Sequence, residues 1–92
     1  MFVTVTTINM PRAAMGPVLD GFRHGSQALR QFPGFLGFEL WTSEDTLQAV
    51  AQWDSREAVD AYKASDLFKA HHGGGTGNGS AAQYDAEVVI AR

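Results

Sequence analysis

The sequence contains no cysteine in 92 residues, which removes several kinds of chemistry at once. Disulfide bonds, thiolate zinc sites, iron–sulfur ligation and a cysteine nucleophile are all excluded. The start of the chain, Met1 to Thr4, also lacks the basic residues and the long apolar run of a secretion signal. Because a chain without cysteine fits a reducing compartment, we expect a cytoplasmic protein.

Charged residues of either sign are scarce. Lys and Arg total 7, Asp and Glu total 10, and the formal net charge is −3. Nucleic-acid phosphates require a basic patch, and no cluster of Lys and Arg supplies one. No apolar run approaches the roughly 18 to 20 residues of a membrane-spanning helix. We therefore predict a protein that contacts neither nucleic acid nor a membrane.

The size of the chain predicts a single domain over residues 1–92 that gains from a partner. A chain this short buries only about 60 to 65% of the surface that its unfolded form exposes. Charged residues make up 18% of the sequence, below the usual ~25%, whereas 45% of the residues are hydrophobic. Part of so weakly charged a surface is expected to be hidden in a homo-oligomer.

The hydrophobic pattern alternates between strand and helix segments in the order βαββαβ. A helix with apolar residues at three-to-four spacing is predicted from Gly16-Pro17 to the stop at Pro33-Gly34. A second helix follows Asp54, and a glycine-rich loop spans residues 73–80. The predicted strands are Phe2 to Met10, Phe35 to Trp41, Leu47 to Trp53 and Gln83 to Ala91.

This order predicts an α+β, ferredoxin-like sandwich, in which two helices cover one face of a four-stranded antiparallel sheet. The other sheet face is then bare within one copy. A bare, partly apolar face favours stacking on a second copy, so a homodimer is expected.

Two candidate helix starts lie in the second half of the chain. Either Asp54, with Glu57 three positions later, or Ser55 provides the N-cap of the second helix. Ser65-Asp66 offers a further N-cap just before Phe68, so the helix can break there.

Two sequence blocks resemble the antibiotic biosynthesis monooxygenase family. The first is Phe-Pro-Gly-Phe-Leu-Gly-Phe-Glu-Leu at residues 32–40, and the second is Trp-Asp-Ser-Arg-Glu-Ala at residues 53–58. The resemblance implies a homodimer whose sheets stack into an α/β barrel, with a pocket between sheet and helices in each subunit. Some members of the family are cofactor-free oxygenases of polycyclic aromatics, and others bind and degrade heme.

Within the family, the chain resembles the heme-degrading branch, whose site contains an Asn, a Trp and an axial His. The position of the axial His is met by His71 or His72. The Trp position, nine residues after Trp53, holds Tyr62 instead. The Asn position falls at Thr6. The resemblance thus implies heme as substrate or cofactor, with one of three site residues kept.

The histidine pair has two interpretations. Either residue can ligate heme iron, or the pair is the solvated end of a helix, where imidazolium favours the negative end of the dipole. At about 100° per residue, Tyr62 and His71 lie on opposite faces of a continuous helix, whereas His72 lies about 80° from Tyr62. If His71 is the ligand, the helix must break between them.

Aromatic side chains supply the other candidate pocket residues. Phe22 and Phe68 are expected either in the core or along a hydrophobic pocket. Tyr62 and Trp53 are expected either to stack on a planar substrate or to pack in the core.

Three hypotheses for function follow. The first is a small monooxygenase acting on a planar hydrophobic substrate, with heme as the leading candidate. The second is a cofactor-independent oxygenase of phenols or quinols. The third is a non-catalytic dimeric barrel that binds a small hydrophobic or aromatic molecule.

Overall fold

The chain folds as an antiparallel sheet with two helices, in a computed structural model that describes residues 1–66, Phe68 and 79–91. The elements are β1 (Phe2–Asn9), α1 (Gly16–Gly25), β2 (Phe35–Thr42), β3 (Thr46–Trp53), α2 (Arg56–Lys63) and β4 (Gly79–Asp85). The strands lie in the order β2-β3-β1-β4, and every neighbouring pair is antiparallel. The predicted βαββαβ order and ferredoxin-like fold are confirmed.

The register of the strands defines two faces of the sheet. Phe2 lies opposite Trp53, and both belong to the core cluster that Leu29 and Val59 cover from the helical side. Because side chains alternate along a strand, every second residue from Phe2 lies on this side. We call it the helix face, and we call the opposite side the open face. The β1 residues on the helix face are Phe2, Thr4, Thr6 and Ile8.

The main hydrophobic cluster lies at the end of the helix face where β1 begins, and Leu47, opposite Ile8, is buried at the other end. Trp53 is 1% exposed and is the largest of the fully buried side chains. Around it lie Phe2, Leu29 and Val59. Two strands, the segment that follows α1 and the helix α2 therefore contribute to one cluster. Burial of these side chains is the main force that holds the helices on the sheet.

The first helix differs from the prediction of one helix up to Pro33-Gly34. The α-helix ends at Gly25, and Ser26–Gln31 continues as a 3-10 helix. Gly25 and Ser26 are adjacent weak helix formers, so the α-helical pattern of hydrogen bonds is least stable at this point. Leu29 nevertheless reaches the core, as its place in the predicted apolar stripe requires.

The last strand was predicted at Gln83 to Ala91, and this prediction is wrong. β4 runs from Gly79 to Asp85, so it begins within the predicted glycine-rich loop. β4 pairs with β1, and Asp85 lies opposite Phe2, the first residue of β1. Beyond Asp85, the described chain makes one more backbone hydrogen bond to the residue before β1: the Ala86 N–H donates to the Met1 carbonyl at 2.8 Å. The strand ends because its partner ends.

The second helix begins with a cap that the sequence had left open between two residues. Ser55 is the N-cap, and its Oγ accepts a hydrogen bond from the Ala58 N–H at 3.2 Å.

No helix of the described ranges is both long enough and apolar enough to cross a membrane.

Candidate functional site

The helix face carries small side chains at the centre of the sheet. Thr6 lies opposite Ala49 on β3 and opposite Ala81 on β4. Thr4, two residues earlier, lies opposite Ala51. None of these five side chains is longer than threonine, so they form a low floor with two hydroxyl groups. The longer side chains of Leu40, opposite Ala49, and Gln83, opposite Thr4, flank this floor.

The helix α1 lies across from this floor without packing tightly on it. Pro17 stands in its first turn, and Val18, Leu19 and Phe22 are half-buried. No residue of α1 is buried, although its neighbour Met15 is 1% exposed. The apolar residues of α1 are therefore less covered than the core, which makes this side of the helix a candidate surface for an apolar molecule.

Phe22 marks one side of the cleft between α1 and this floor. Its ring lies 6.0 Å from the ring of Phe38, measured between centroids. Phe38 pairs with Ala51 on β3, and Ala51 pairs with Thr4. Phe22 is therefore placed over the Thr4 level of the floor. Ala81, on the β4 side, is exposed, so the helix face remains uncovered there.

Tyr62 is the centre of an aromatic cluster at the other end of the helix face. Its ring stacks on Trp53, with centroids 5.3 Å apart and planes inclined by 28°. Phe32 and Phe68 meet Tyr62 edge-on, each with its centroid 5.3 Å away. Burial raises the pKa of the Tyr62 phenol above its ordinary value, so the hydroxyl is neutral at physiological pH and can donate a hydrogen bond.

Trp53, which lies beneath this cluster, carries a buried polar atom. Its Nε1 is buried and has no hydrogen-bond partner in the described part of the chain. A buried donor without an acceptor costs about 1–3 kcal/mol, so packing rather than hydrogen bonding holds Trp53 in place.

Tyr62 and Thr6 share the helix face but do not touch. Thr6 lies four residues along β1 from Phe2, which pairs with Trp53, the residue under Tyr62. Four residues of strand span about 13 Å. Thr6 and the aromatic cluster around Tyr62 therefore lie at different levels of the helix face, separated along β1 by about this length.

The predicted break after Tyr62 is confirmed. α2 ends at Lys63, and the Ser65 Oγ accepts a hydrogen bond from the Phe68 N–H at 3.2 Å. The same hydroxyl donates to the Tyr62 carbonyl at 2.5 Å. His71 and His72 themselves lie outside the described residues.

Two shallow depressions lie outside this cleft. One, of about 310 Å³, is formed by Phe32, Gly34 and the start of α2 and includes the Asp54 and Glu57 carboxylates. The other, of about 400 Å³, lies between Arg30 and the first residues of β2. Neither includes Thr6 or Tyr62, and both are open to solvent.

The fold defines the class of protein, an α+β sandwich of ferredoxin-like type with two helices on a four-stranded antiparallel sheet. The model of the antibiotic biosynthesis monooxygenase family matches residues 1–74, and the chain belongs to this family. The sequence resemblance seen at residues 32–40 and 53–58 is thereby confirmed.

The chain is similar to several characterised proteins. It is 31% identical over 85 residues to a heme-degrading monooxygenase of Listeria monocytogenes, with 79% of this chain and 70% of the relative covered. It is 36% identical over 75 residues to a heme oxygenase (mycobilin-producing) of Mycobacterium tuberculosis, with 77% and 70% covered. A crystal structure of a MhuD variant with two manganese protoporphyrin IX molecules bound per active site matches with a TM-score of 0.73 and 30% identity, covering both chains completely.

Proposed function

We propose that this chain is a monooxygenase that takes heme as its substrate and binds it in the cleft between α1 and the helix face. The observation that carries the proposal is the half-buried apolar side of α1 above the low floor around Thr6. A flat, apolar macrocycle fits between two such surfaces. Relatives at 31% and 36% identity that degrade heme support the choice of substrate.

The residues of the chain take separate roles in this proposal. His71 or His72 ligates the iron through a neutral imidazole. Phe22 and Phe68 contact the macrocycle, and the hydroxyls of Thr6 and Tyr62 donate hydrogen bonds at its two ends. Heme itself supplies the oxygen chemistry, while the protein orients it and excludes water.

A titration of hemin into the purified protein tests binding. We expect a shifted Soret band with saturation, and we expect the His71→Ala/His72→Ala double variant to bind about tenfold more weakly or worse, because the axial ligand is gone. His24→Ala is the matched control. His24 is an exposed histidine on α1 whose Nδ1 lies 2.8 Å from the Asp20 carbonyl, and its removal should leave the titration unchanged. An unshifted Soret band in the wild-type protein would contradict heme binding.

Thr6 and Tyr62 stand where the heme-degrading branch has Asn and Trp, and these two differences predict slow turnover of heme. With a reductant and dioxygen present, the Thr6→Asn/Tyr62→Trp double variant should consume bound heme about tenfold faster than wild type, since it restores the amide and the indole of that branch. Asp60→Trp, at an exposed position of α2, adds an indole outside the open face and serves as the control. Equal rates in all three proteins would show that Thr6 and Tyr62 do not limit the reaction.

Cofactor-independent oxidation of a phenol or quinol is the second candidate. It does not use the heme-degrading site residues, so the departures at Thr6 and Tyr62 do not count against it. Oxygen uptake by metal-free protein with such a substrate distinguishes it from heme degradation. Ligand retention without any product instead indicates the non-catalytic barrel.

We also propose that the protein is a homodimer in which two copies meet through the open face. Trp41 and Tyr84 are 49% and 53% exposed on this face, near its two edges. Trp41 Nε1 donates to the Glu39 carboxylate at 2.9 Å, and Gln52 Nε2 donates to the same carboxylate at 2.6 Å. The exposed indole is thus held in a fixed orientation, which reduces the entropy lost on association.

A further inference from the structure

Ser65 connects the two sides of the turn that follows α2. Its hydroxyl donates a hydrogen bond to the Tyr62 carbonyl at 2.5 Å and accepts one from the Phe68 N–H at 3.2 Å. Its own N–H donates to the same Tyr62 carbonyl at 3.0 Å. This half-buried serine therefore makes three hydrogen bonds to the residues that stand three positions before it and three positions after it.

The two groups that bind the hydroxyl lie at the ends of helical segments. The Tyr62 carbonyl belongs to the last turn of α2, where carbonyls have no partner further along the helix. The Phe68 N–H lies three residues after Ser65, which is the position that an N-cap hydroxyl accepts from. One oxygen atom thus ends the first helical segment and begins the next.

The contact between the rings of Tyr62 and Phe68 spans this turn. Tyr62 is carried by α2 and Phe68 by the chain beyond it, and their rings meet edge-on, with centroids 5.3 Å apart and planes inclined by 87°. Tyr62 also stacks on Trp53, which is 1% exposed. The core therefore holds Tyr62 in place, whereas the place of Phe68 beside it depends on the turn at Ser65.

The arrangement of this ring pair bears on ligand binding, because both residues are proposed contacts of the macrocycle. Dispersion contacts weaken when two surfaces separate by a fraction of an ångström, so a flat ligand needs both rings at fixed positions. Rings that are already held in place before the ligand arrives lose less conformational entropy when it binds.

We propose that Ser65 is a positioning residue of the candidate site: its hydroxyl fixes Phe68 against Tyr62 and so keeps the two rings in the arrangement that receives the planar substrate. This inference rests on the proposed function, because it takes the contact of the two rings with the macrocycle from there. Ser65 itself acts only through the two residues that it joins.

A titration of the Tyr62 phenol in ligand-free protein tests the placement of the rings without heme. The sequence contains two tyrosines, so Tyr84→Phe leaves Tyr62 as the single reporter in every variant. Burial raises the pKa of Tyr62 above its ordinary value. Ser65→Ala is expected to lower this pKa toward the ordinary value, because Phe68 no longer shields the phenol from water. Ser65→Thr keeps the hydroxyl, and its phenol should titrate with the raised pKa.

Ser55→Ala is the matched control. It removes a serine hydroxyl from the other end of α2, where the Ser55 Oγ accepts a hydrogen bond from the Ala58 N–H. Both serine-to-alanine variants should unfold at a lower temperature, because each loses a helix-terminal hydrogen bond. Only Ser65→Ala should also change the pKa of the Tyr62 phenol and the near-ultraviolet circular dichroism of the aromatic cluster.

Hemin binding connects the turn to the ligand. Ser65→Ala should raise the hemin dissociation constant about tenfold relative to Ser55→Ala, whereas Ser65→Thr should bind as wild type does. A Ser65→Ala variant that matches Ser55→Ala in the pKa of the phenol, or in its affinity for hemin, overturns the proposal. A wild-type protein that binds no hemin overturns the proposed function instead, and the phenol titration still decides whether Ser65 places the rings.

Discussion

Replacing Trp53 with alanine is expected to lower the free energy of unfolding by about 3–5 kcal/mol, the usual cost of removing a large buried aromatic side chain. Trp53 is 1% exposed, and it touches Phe35 edge-on and Tyr62 by stacking, with centroids 5.4 and 5.3 Å away. The cavity would lie where β3 meets α2. A domain of this size has only about 5–15 kcal/mol of stability, so the variant should be close to unfolding at room temperature.

Urea unfolding of dilute protein measures this loss, and two further variants identify its cause. Trp53→Phe keeps a buried ring and removes an N–H that has no acceptor among the described residues, so it should cost less than about 1.5 kcal/mol. Trp41→Ala, on the open face and 49% exposed, should change stability by less than about 1 kcal/mol. A loss at Trp53→Phe as large as at Trp53→Ala would mean that the indole N–H is paired and that packing is not the main contribution.

The substitution Gly34→Ala is expected to destabilise the fold by about 2–4 kcal/mol, from backbone strain and a steric clash together. Gly34 has φ of +86°, and the Phe35 N–H donates to the Phe32 carbonyl at 3.2 Å across the turn. Pro33 followed by a glycine at positive φ is the arrangement of a type II turn. A Cβ at this position would lie 2.5 Å from the Asp54 Oδ1 and 2.7 Å from the Ala58 Cβ.

A second glycine provides the matched control for Gly34. Gly21 lies within α1, and a Cβ added there meets nothing within 4 Å. Gly21→Ala should therefore raise the free energy of unfolding by about 0.5–1 kcal/mol through helix propensity. Thermal unfolding of both variants in parallel gives the comparison, and a Gly34→Ala variant as stable as wild type would mean that this turn adopts another conformation at no cost.

The Pro33-Gly34 turn also accounts for the Pro-Gly pair in the first of the two sequence blocks that resemble the family. The Asp54 N–H donates to the Gly34 carbonyl at 2.8 Å, so the turn before β2 is tied to the residue that follows β3. The two sequence blocks that carry the resemblance to the family therefore meet in the structure, at the end of the sheet that holds Trp53.

The candidate site was only partly predictable from the sequence. The helix break at Ser65 was predictable from its capping pattern, because it depends on one local hydrogen bond, which the Phe68 N–H donates to the Ser65 Oγ. The wide separation of Thr6 from Tyr62 was not predictable, because it depends on the pairing of Phe2 with Trp53 across two strands distant in sequence. The half-buried state of the apolar side of α1 likewise depends on how closely the helix approaches the sheet.

The sequence by itself determined the order of the elements and the end of the first helical segment before Pro33-Gly34, because local propensity and side-chain periodicity act within a few residues. Only the tertiary structure decided where β4 begins and ends. The alternation of residues 83–91 favours a strand at every position, but a strand exists only where another backbone accepts its hydrogen bonds, and β1 ends opposite Asp85. The same reason leaves Val88, Val89 and Ile90 exposed.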